Sequence, residues 1–247
     1  TPFMSHISYN PFLAFAIYLL LHEVFFNTSI NSMARFIYSF FAITMSINMF
    51  ITGGRAGQVV FFVMIILLFF QYYQKKLLAL IVSTVVVVGI FFSAYQSSEI
   101  FQQRVDQAIN EASDPNLWKG VNTSIGERFV FAMNSWEIFK ESPLIGIGTG
   151  DFPNEYKKVK ALNTPNSLDT VNPHNMYILV LTQLGVLGLI SLLSIFYFQV
   201  QFAKENKSIF LKNTGIALPI LFLVIMLSDS YLLGHFTTFL FVFFSSF

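Results

Sequence analysis

The chain has no cysteine among its 247 residues. Disulfides, thiolate metal sites and cysteine nucleophiles are therefore excluded. Charge is scarce too: Asp, Glu, Lys and Arg make up 11% of the residues, against about 25% in a soluble globular domain. A net charge of +1 and the lack of any basic tract leave no footprint for nucleic acid. No group of His, Asp and Glu has metal-ligand spacing, and there is no Asp-x-Asp or Glu-x-Asp pair to hold a divalent cation on a diphosphate. Neither a metal nor a cofactor is expected. There is no G-x-S-x-G elbow for a serine nucleophile, no internal repeat and no low-complexity linker. The chain opens TPFMSH without a signal-peptide pattern and ends in GHFTTFLFVFFSSF, an apolar run too short to span a bilayer. The chain is read as the C-terminal part of a longer protein, trimmed at its end too.

What is present is apolar bulk. Hydrophobic residues make up 55% and aromatics 17%, with 31 Phe. Several runs approach the roughly 20 residues that cross a bilayer. The expected fold is all-α, a polytopic membrane helical bundle. Spans are predicted near 11–26, 36–52, 56–74, 77–95, 175–200 and 213–231, with a seventh beginning near 235 and cut off. This divides the chain into transmembrane helices over 1–95, an outer loop with amphipathic helices over 96–173, and further transmembrane helices over 174–247. His22 and Glu23, near the end of the first span, read as interfacial. With alternating crossings, Arg35, Lys75, Lys76, Lys204, Lys207 and Lys212 fall on one side. The positive-inside rule makes that side cytoplasmic, and places Arg55, the long loop and His174 together in the outer compartment.

The loop has a pattern of its own. Residues 98–112 are helical by period, with Ile100, Phe101, Val105 and Ile109 on one face; residues 113–123 are polar and turn-rich. Ser124-Ile-Gly-Glu127 reads as a capping box. It opens an amphipathic helix over about 125–141, whose apolar stripe is Ile125, Phe129, Ala132, Trp136 and Phe139. Arg128 falls in its first turn, where the helix dipole disfavours a cation; its partner is either a nearby glutamate or a substrate phosphate. Gly146, Gly148 and Gly150 recur at spacing two. A nucleotide fingerprint needs a strand before it and a helix after it, whereas here a helix precedes and Pro153 follows closely. A tight turn packed against the membrane surface fits better. Residues 154–171, with Lys157, Lys158 and Lys160, read as a mobile lid.

In NPHNMYILVLTQLGVLG (172–188) Asn172 is the expected N-cap, Pro173 the first helical residue, and His174 a first-turn residue sharing a face with Tyr177 and Ile178. A helix N-terminus disfavours a second positive charge, so a neutral imidazole suited to a general base is expected. Gly185 and Gly188 are read as sites of close helix approach. By position alone Arg55 reads as an interfacial anchor, but Gly53, Gly54 and Gly57 around it favour a broken helix end or close backbone approach. Asp229 and His235 read as local polar contacts. A neutral base beside two guanidinium groups suits one reaction type: a hydroxyl is deprotonated and attacks a carbon whose leaving group is a phosphate or pyrophosphate.

Three stretches carry a resemblance. They are TGGRAG (52–57), GERFVFAMNSWEIFKESPLIGIGTGDF (126–152) and NPHNMYILVLTQLGVLGLI (172–190). In type, order and spacing they resemble the O-antigen ligase and polymerase family of bacterial membrane glycosyltransferases, with Gly54 standing where Ser is common. The likeness runs over about 36–247 and corresponds to a C-terminal half. It implies a glycosyltransferase in lipopolysaccharide biosynthesis, a multi-pass protein of the inner membrane whose active site faces the periplasm. The glycan would pass from undecaprenyl pyrophosphate to an acceptor hydroxyl, that of lipid A core oligosaccharide in a ligase, without metal and with inversion. His174 would be the catalytic base, Arg55 and Arg128 would hold the pyrophosphate, and Asn175 and Tyr177 would shape the site. The intervening helices would form a groove for the polyprenyl tail. An O-antigen polymerase and a protein O-oligosaccharyltransferase remain open within the family. A transporter or flippase of lipid-linked sugars is the alternative from another class. It would call for charged or broken mid-membrane segments and repeat symmetry, and neither is legible in the sequence.

Overall fold

The computed structural model describes residues 5–113 and 123–246. Most of the expected turn-rich stretch 113–123 thus lies outside the described residues. Among those residues the chain is all helical, with no strand. The helices are α1 (His6–Phe26), α2 (Ser32–Thr52), α3 (Arg55–Tyr72), α4 (Lys76–Ser97), α5 (Glu99–Ala112), α6 (Ser124–Glu141), α7 (Phe152–Asn163), α8 (Met176–Glu205), α9 (Ile209–Ile225) and α10 (His235–Ser245). Five of them, α1 to α4 and α8, are long and apolar enough to cross a membrane. The all-α membrane bundle expected from composition is the fold observed.

Boundaries follow local chemistry. Ser5 caps α1 by accepting from the Ser8 amide, and Asn31 caps α2 by accepting from the Ala34 amide. Helix α1 therefore begins a turn before Pro11, which lies inside it. The sixth expected span is shorter than 213–231. Helix α9 stops at Ile225, and the polar run Ser228-Asp229-Ser230 leads into a 3-10 turn, Tyr231–Leu233.

The chain divides into two compact units. The first comprises Thr1–Arg104, Gln199–Ile225 and His235–Phe247. In it α1 packs against α2, α3, α9 and α10, and α3 also packs against α4. Phe15, Ile17, Tyr18, Phe61, Met64 and Leu68 form the buried interior. A polar relay crosses that interior. Tyr18 Oη donates to Gln71 Oε1 at 2.8 Å, Gln71 Nε2 to the Asn213 carbonyl at 3.1 Å, and Asn213 Nδ2 lies 3.0 Å from His22 Nε2. His22 is thus a buried bundle residue and not the interfacial one its position suggested, with Asn213 partnering its Nε2. The outer faces of α2 and α4 expose Phe36, Phe40, Ile43, Leu77, Ile81 and Phe92. Apolar exposure of this extent on helices long enough to span fits lipid rather than water.

The second unit comprises Val105–Phe198 and Met226–Gly234. Helices α6 and α7 pack together around Tyr156, whose ring meets Phe131 edge-on at 5.9 Å and Phe152 at 5.7 Å. Asn134 Nδ2 donates to Tyr156 Oη at 3.3 Å and to Thr164 Oγ1 at 2.7 Å. Burial, eased by the Asn134 and Ser167 hydrogen bonds, pushes the Tyr156 phenol up from its ordinary range.

Four sequence expectations change here. The cap of α6 is Thr123, one residue before Ser124, so Glu127 falls inside the helix and no reciprocal capping box forms. The face of α6 that is buried carries Glu127, Val130, Phe131, Asn134 and Ile138, while the expected stripe leaves Phe129 and Trp136 exposed. Polar partners on α7 decide which face turns inward. On α5 only Phe101 of the expected stripe is buried; Ile100 and Ile109 are exposed. Finally, residues 154–163 of the expected lid belong to a packed helix, and only 164–171 lie outside it. Phe152, Tyr156 and Val159 of α7 are buried, and Pro153, far from stopping a helix, sits in its first turn, where proline is tolerated.

Candidate active site

Helix α8 starts later than its sequence suggests. Asn175, not Asn172, is the cap: its Oδ1 accepts from the Ile178 amide at 3.1 Å, and its carbonyl accepts from Leu179 at 3.0 Å. His174 therefore precedes the helix and does not share a helical face with Tyr177. It holds a left-handed backbone, φ 52°, the one non-glycine residue with positive φ among those described. Asn172 has a different task. Its Oδ1 accepts both the His174 amide at 2.9 Å and the Ser230 hydroxyl at 2.7 Å. The two amides of this NPHN segment thus share the work, one turning the chain and the other starting the helix.

The turn is laced to the loop after α9. The Met176 amide donates to the Met226 carbonyl at 2.9 Å, and Asn175 Nδ2 donates to the Leu227 carbonyl at 3.1 Å. These bonds bring Asp229 to His174, with Nδ1 and Oδ1 3.2 Å apart. The same Oδ1 accepts from the Ser230 amide at 2.7 Å and from Asn172 Nδ2 at 3.4 Å. Burial alone would raise the Asp229 carboxyl. The hydrogen bonds from His174 and Ser230, with the charges of His174 and Arg128 nearby, more than offset this and hold it below the usual carboxylate range. Tyr231 in the same loop is pushed up to about 12, mainly by burial, so its phenol stays protonated. The His174 side chain is 41% exposed and faces the Phe131 ring at 5.8 Å, which links it to the α6–α7 core.

Arg128 is exposed on the first turns of α6, and its charge is felt by both Asp229 and Tyr231. No ion pair to Arg128 forms among the described residues. The second unit thus gathers His174, Asn175, Tyr177 and Arg128 of the expected site, and adds Asn172, Asp229 and Ser230. Asp229 is the residue that sequence reasoning placed as a local contact only. The available signal was its position: an isolated acid in an apolar stretch, on the same predicted side of the membrane as His174.

Arg55 lies in the first unit, as the first residue of α3. Gly53 and Gly54 before it have φ of 73° and 100°, and no side chain caps the helix. Asn10 of α1, fully buried, donates to the Gly53 carbonyl and accepts from Thr52 Oγ1 at 3.3 Å. A Cβ on Gly57 would lie 2.2 Å from that of Asn10, so the close helix approach requires glycine. An uncapped N-terminus with an arginine at its first position can take an anion. In the same unit an apolar groove of about 690 Å³ opens between α2, α3 and α4. Ile47, Phe50, Ile65, Val86 and Ile90 line it; of its serines, Ser46 lies on α2, and Ser93, Ser97 and Ser98 lie toward the end of α4.

The glycine-rich segment after α6 is engaged with α8 rather than open as a phosphate cradle. The amides of Ile147 and Gly148 already donate, at 3.0 Å each, to the carbonyls of Thr182 and Gln183. Among the described residues no three His, Asp or Glu side chains converge.

A comparison with curated proteins gave no match. The sequence model of a family described as O-antigen ligase matches residues 40–193. That match covers more than half of the chain, takes in Arg55, Arg128 and His174, and falls on a helical fold built to cross a membrane several times: the chain belongs to the O-antigen ligase family of multi-pass membrane enzymes.

Proposed function

We propose that this chain transfers a glycan from undecaprenyl pyrophosphate to an acceptor hydroxyl on the periplasmic side of the inner membrane, the acceptor being lipid A core oligosaccharide. The single observation that carries the reading is the His174–Asp229 pair, 3.2 Å apart in a turn that feels the charge of Arg128. A carboxylate only accepts hydrogen bonds, so a neutral His174 donates from Nδ1 and keeps its lone pair on Nε2. Nε2 takes the proton of the acceptor hydroxyl as that oxygen attacks the anomeric carbon. The bond from that carbon to the pyrophosphate oxygen breaks on the opposite face, which inverts the centre. Arg55 and Arg128 neutralise the leaving pyrophosphate through paired N–H donors. A pyrophosphate needs little protonation to leave, so the step calls for neither a strong acid nor a metal. The groove between α2, α3 and α4 accepts the prenyl tail, and Asn175 and Tyr177 shape the approach to the turn.

The test is genetic and then chemical. The full-length gene should restore long-chain lipopolysaccharide to a ligase-null strain, and the His174→Ala form should not. Longer lipid-linked glycan without its transfer to lipid A core would instead identify a polymerase. Transfer to a protein acceptor would identify an oligosaccharyltransferase. Movement of intact lipid-linked sugar across vesicles, without any new glycosidic bond, would overturn the enzyme reading in favour of a transporter.

A further inference from the structure

Helix α8 is broken, and the break is filled. At Gly185 the backbone turns to φ 65° and ψ −166°, outside the helical range. Residues 143–148 run into the gap and take up the groups that the break would strand. The amides of Ile147 and Gly148 donate to the carbonyls of Thr182 and Gln183, at 3.0 Å each. The amides of Val186 and Leu187 donate to the carbonyls of Pro143 and Leu144, at 2.9 and 3.3 Å. Both chains need glycine at the crossing. A Cβ on Gly146 would lie 2.3 Å from the Gln183 backbone, and one on Gly185 would lie 2.3 Å from the Leu144 backbone. A broken helix in this chain was not legible in the sequence, and its gap is occupied by protein rather than left open to a substrate.

The side chains of the inserted segment point to what surrounds it. Leu144 and Ile145 are 66% and 69% exposed, beside exposed Leu184, Leu187 and Ile190 of α8 itself. Residues 186–205 make about 30 Å of helix, the thickness of one hydrocarbon core. Lys204 marks one end of that stretch and the break marks the other. Glu141 before the segment and Asp151 after it are exposed and charged, and so limit its depth. In water a break needs no filling, because solvent pairs the freed groups. Within a bilayer, non-helical backbone persists only where protein satisfies it.

We propose that residues 143–148 are a re-entrant segment: Leu144 and Ile145 lie among the acyl chains of the leaflet opposite Lys204, and the broken α8 supplies the backbone partners that make this depth possible. Because the segment is anchored on both sides of Gly185, it fixes how the His174 turn, about 13 Å of helix before the break, stands relative to the bilayer.

The experiment uses the full-length protein in vesicles of phosphatidylethanolamine and phosphatidylglycerol. Nitroxide labels are attached to Leu144→Cys, Ile145→Cys, Leu187→Cys and Thr149→Cys. Collision with oxygen is compared with collision with a water-soluble nickel chelate. Labels at 144 and 145 should match 187, rich in oxygen contact and poor in chelate contact, while 149 shows the reverse. Chelate access at 144 and 145 equal to that at 149 would make the segment aqueous. Exclusion of both reagents there, with 187 still open to oxygen, would mean that a second copy or another part of the protein covers it. Either result overturns the proposal. Unmodified protein gives an independent reading: phospholipid with a photoreactive acyl chain should leave adducts on Leu144 and Ile145, and their absence alongside adducts on Leu187 would count against it equally.

Discussion

Asp229 Oδ1 lies 3.2 Å from His174 Nδ1 across 55 residues of sequence, and the same oxygen accepts from the amide of its neighbour Ser230. The carboxylate can thus set the tautomer of the imidazole. In Asp229→Asn the amide NH2 can turn toward Nδ1 and reverse that choice. Glycan transfer should fall by about 10²–10⁴, with donor binding retained and part of the rate recovered in Asp229→Glu. Equal loss in both variants, or loss of donor binding in step with rate, would make Asp229 a scaffold of the loop. The pH dependence has a definite sign. The folded carboxyl lies below its ordinary range, so its stabilising contribution is complete above the unfolded value of about 4. It is lost only as pH falls through the lowered folded value. The loop should therefore keep its order, followed by amide exchange at Ser230, from neutral pH down to about pH 4, and Asp229→Asn should abolish the acid-dependent change below that.

Arg55 and Arg128 differ in setting but not in expected effect. Lysine keeps the charge and loses the two-pronged donor geometry. Arg55→Lys should weaken binding of the lipid-linked donor and slow turnover, and Arg55→Ala should do so further. The same order should hold at Arg128, whose alanine variant should also let the Asp229 carboxyl rise toward its ordinary range. Titration of donor binding in each variant is the measurement. Unchanged binding and rate in both alanine forms would return Arg55 to the role of an interfacial anchor and Arg128 to that of a partner for a nearby glutamate.

The long apolar helices were legible because composition and run length alone demand them. The turn at Arg55 was legible because Gly53 and Gly54 announce a left-handed backbone. The α6 face was not, because its buried side holds the polar Glu127 and Asn134, and the inward placement of Asn134 depends on Tyr156 and Thr164, residues far along the sequence. Nor was the break at Gly185. A glycine in an apolar run reads as helix packing until the segment that inserts beside it is known. His174 was found for a reason that needed revision: its neighbour is a carboxylate brought in by long-range pairing, and the helix begins two residues later.

The apolar groove offers a test that leaves the polar site untouched. Gly89 lines it, and a Cβ there would meet nothing within 4 Å. Gly89→Phe should therefore be accommodated by α4 while filling the space proposed for the prenyl tail. With the natural donor, binding should weaken at least tenfold, about 1.4 kcal/mol. With a donor carrying a short prenyl tail, turnover should equal that of the unsubstituted protein. Equal impairment with both donors would mean that the substitution acts through the fold, and no impairment with either would place the tail elsewhere.

The last prediction isolates the chemistry of His174 from its backbone. A left-handed conformation costs an ordinary L-residue about 1–2 kcal/mol, while glycine, and to a lesser degree asparagine, adopt it readily. His174→Ala would therefore mix loss of the imidazole with strain in the turn. His174→Asn is the cleaner variant, because it suits φ 52° and can still hydrogen-bond an acceptor hydroxyl without accepting its proton. The turn itself should persist, since Asn172 Oδ1 holds the backbone amide of residue 174 whatever the side chain. Expected values are donor binding unchanged, thermal stability equal to or above that of the unsubstituted protein, and transfer reduced by about 10²–10⁴. His174→Gly should behave the same way, since it too relieves the backbone and lacks a base. Measuring donor binding, melting and single-turnover transfer in one preparation separates the roles. Full transfer in the asparagine form would make His174 a hydrogen-bonding element of the turn, and the base would have to be sought on another residue.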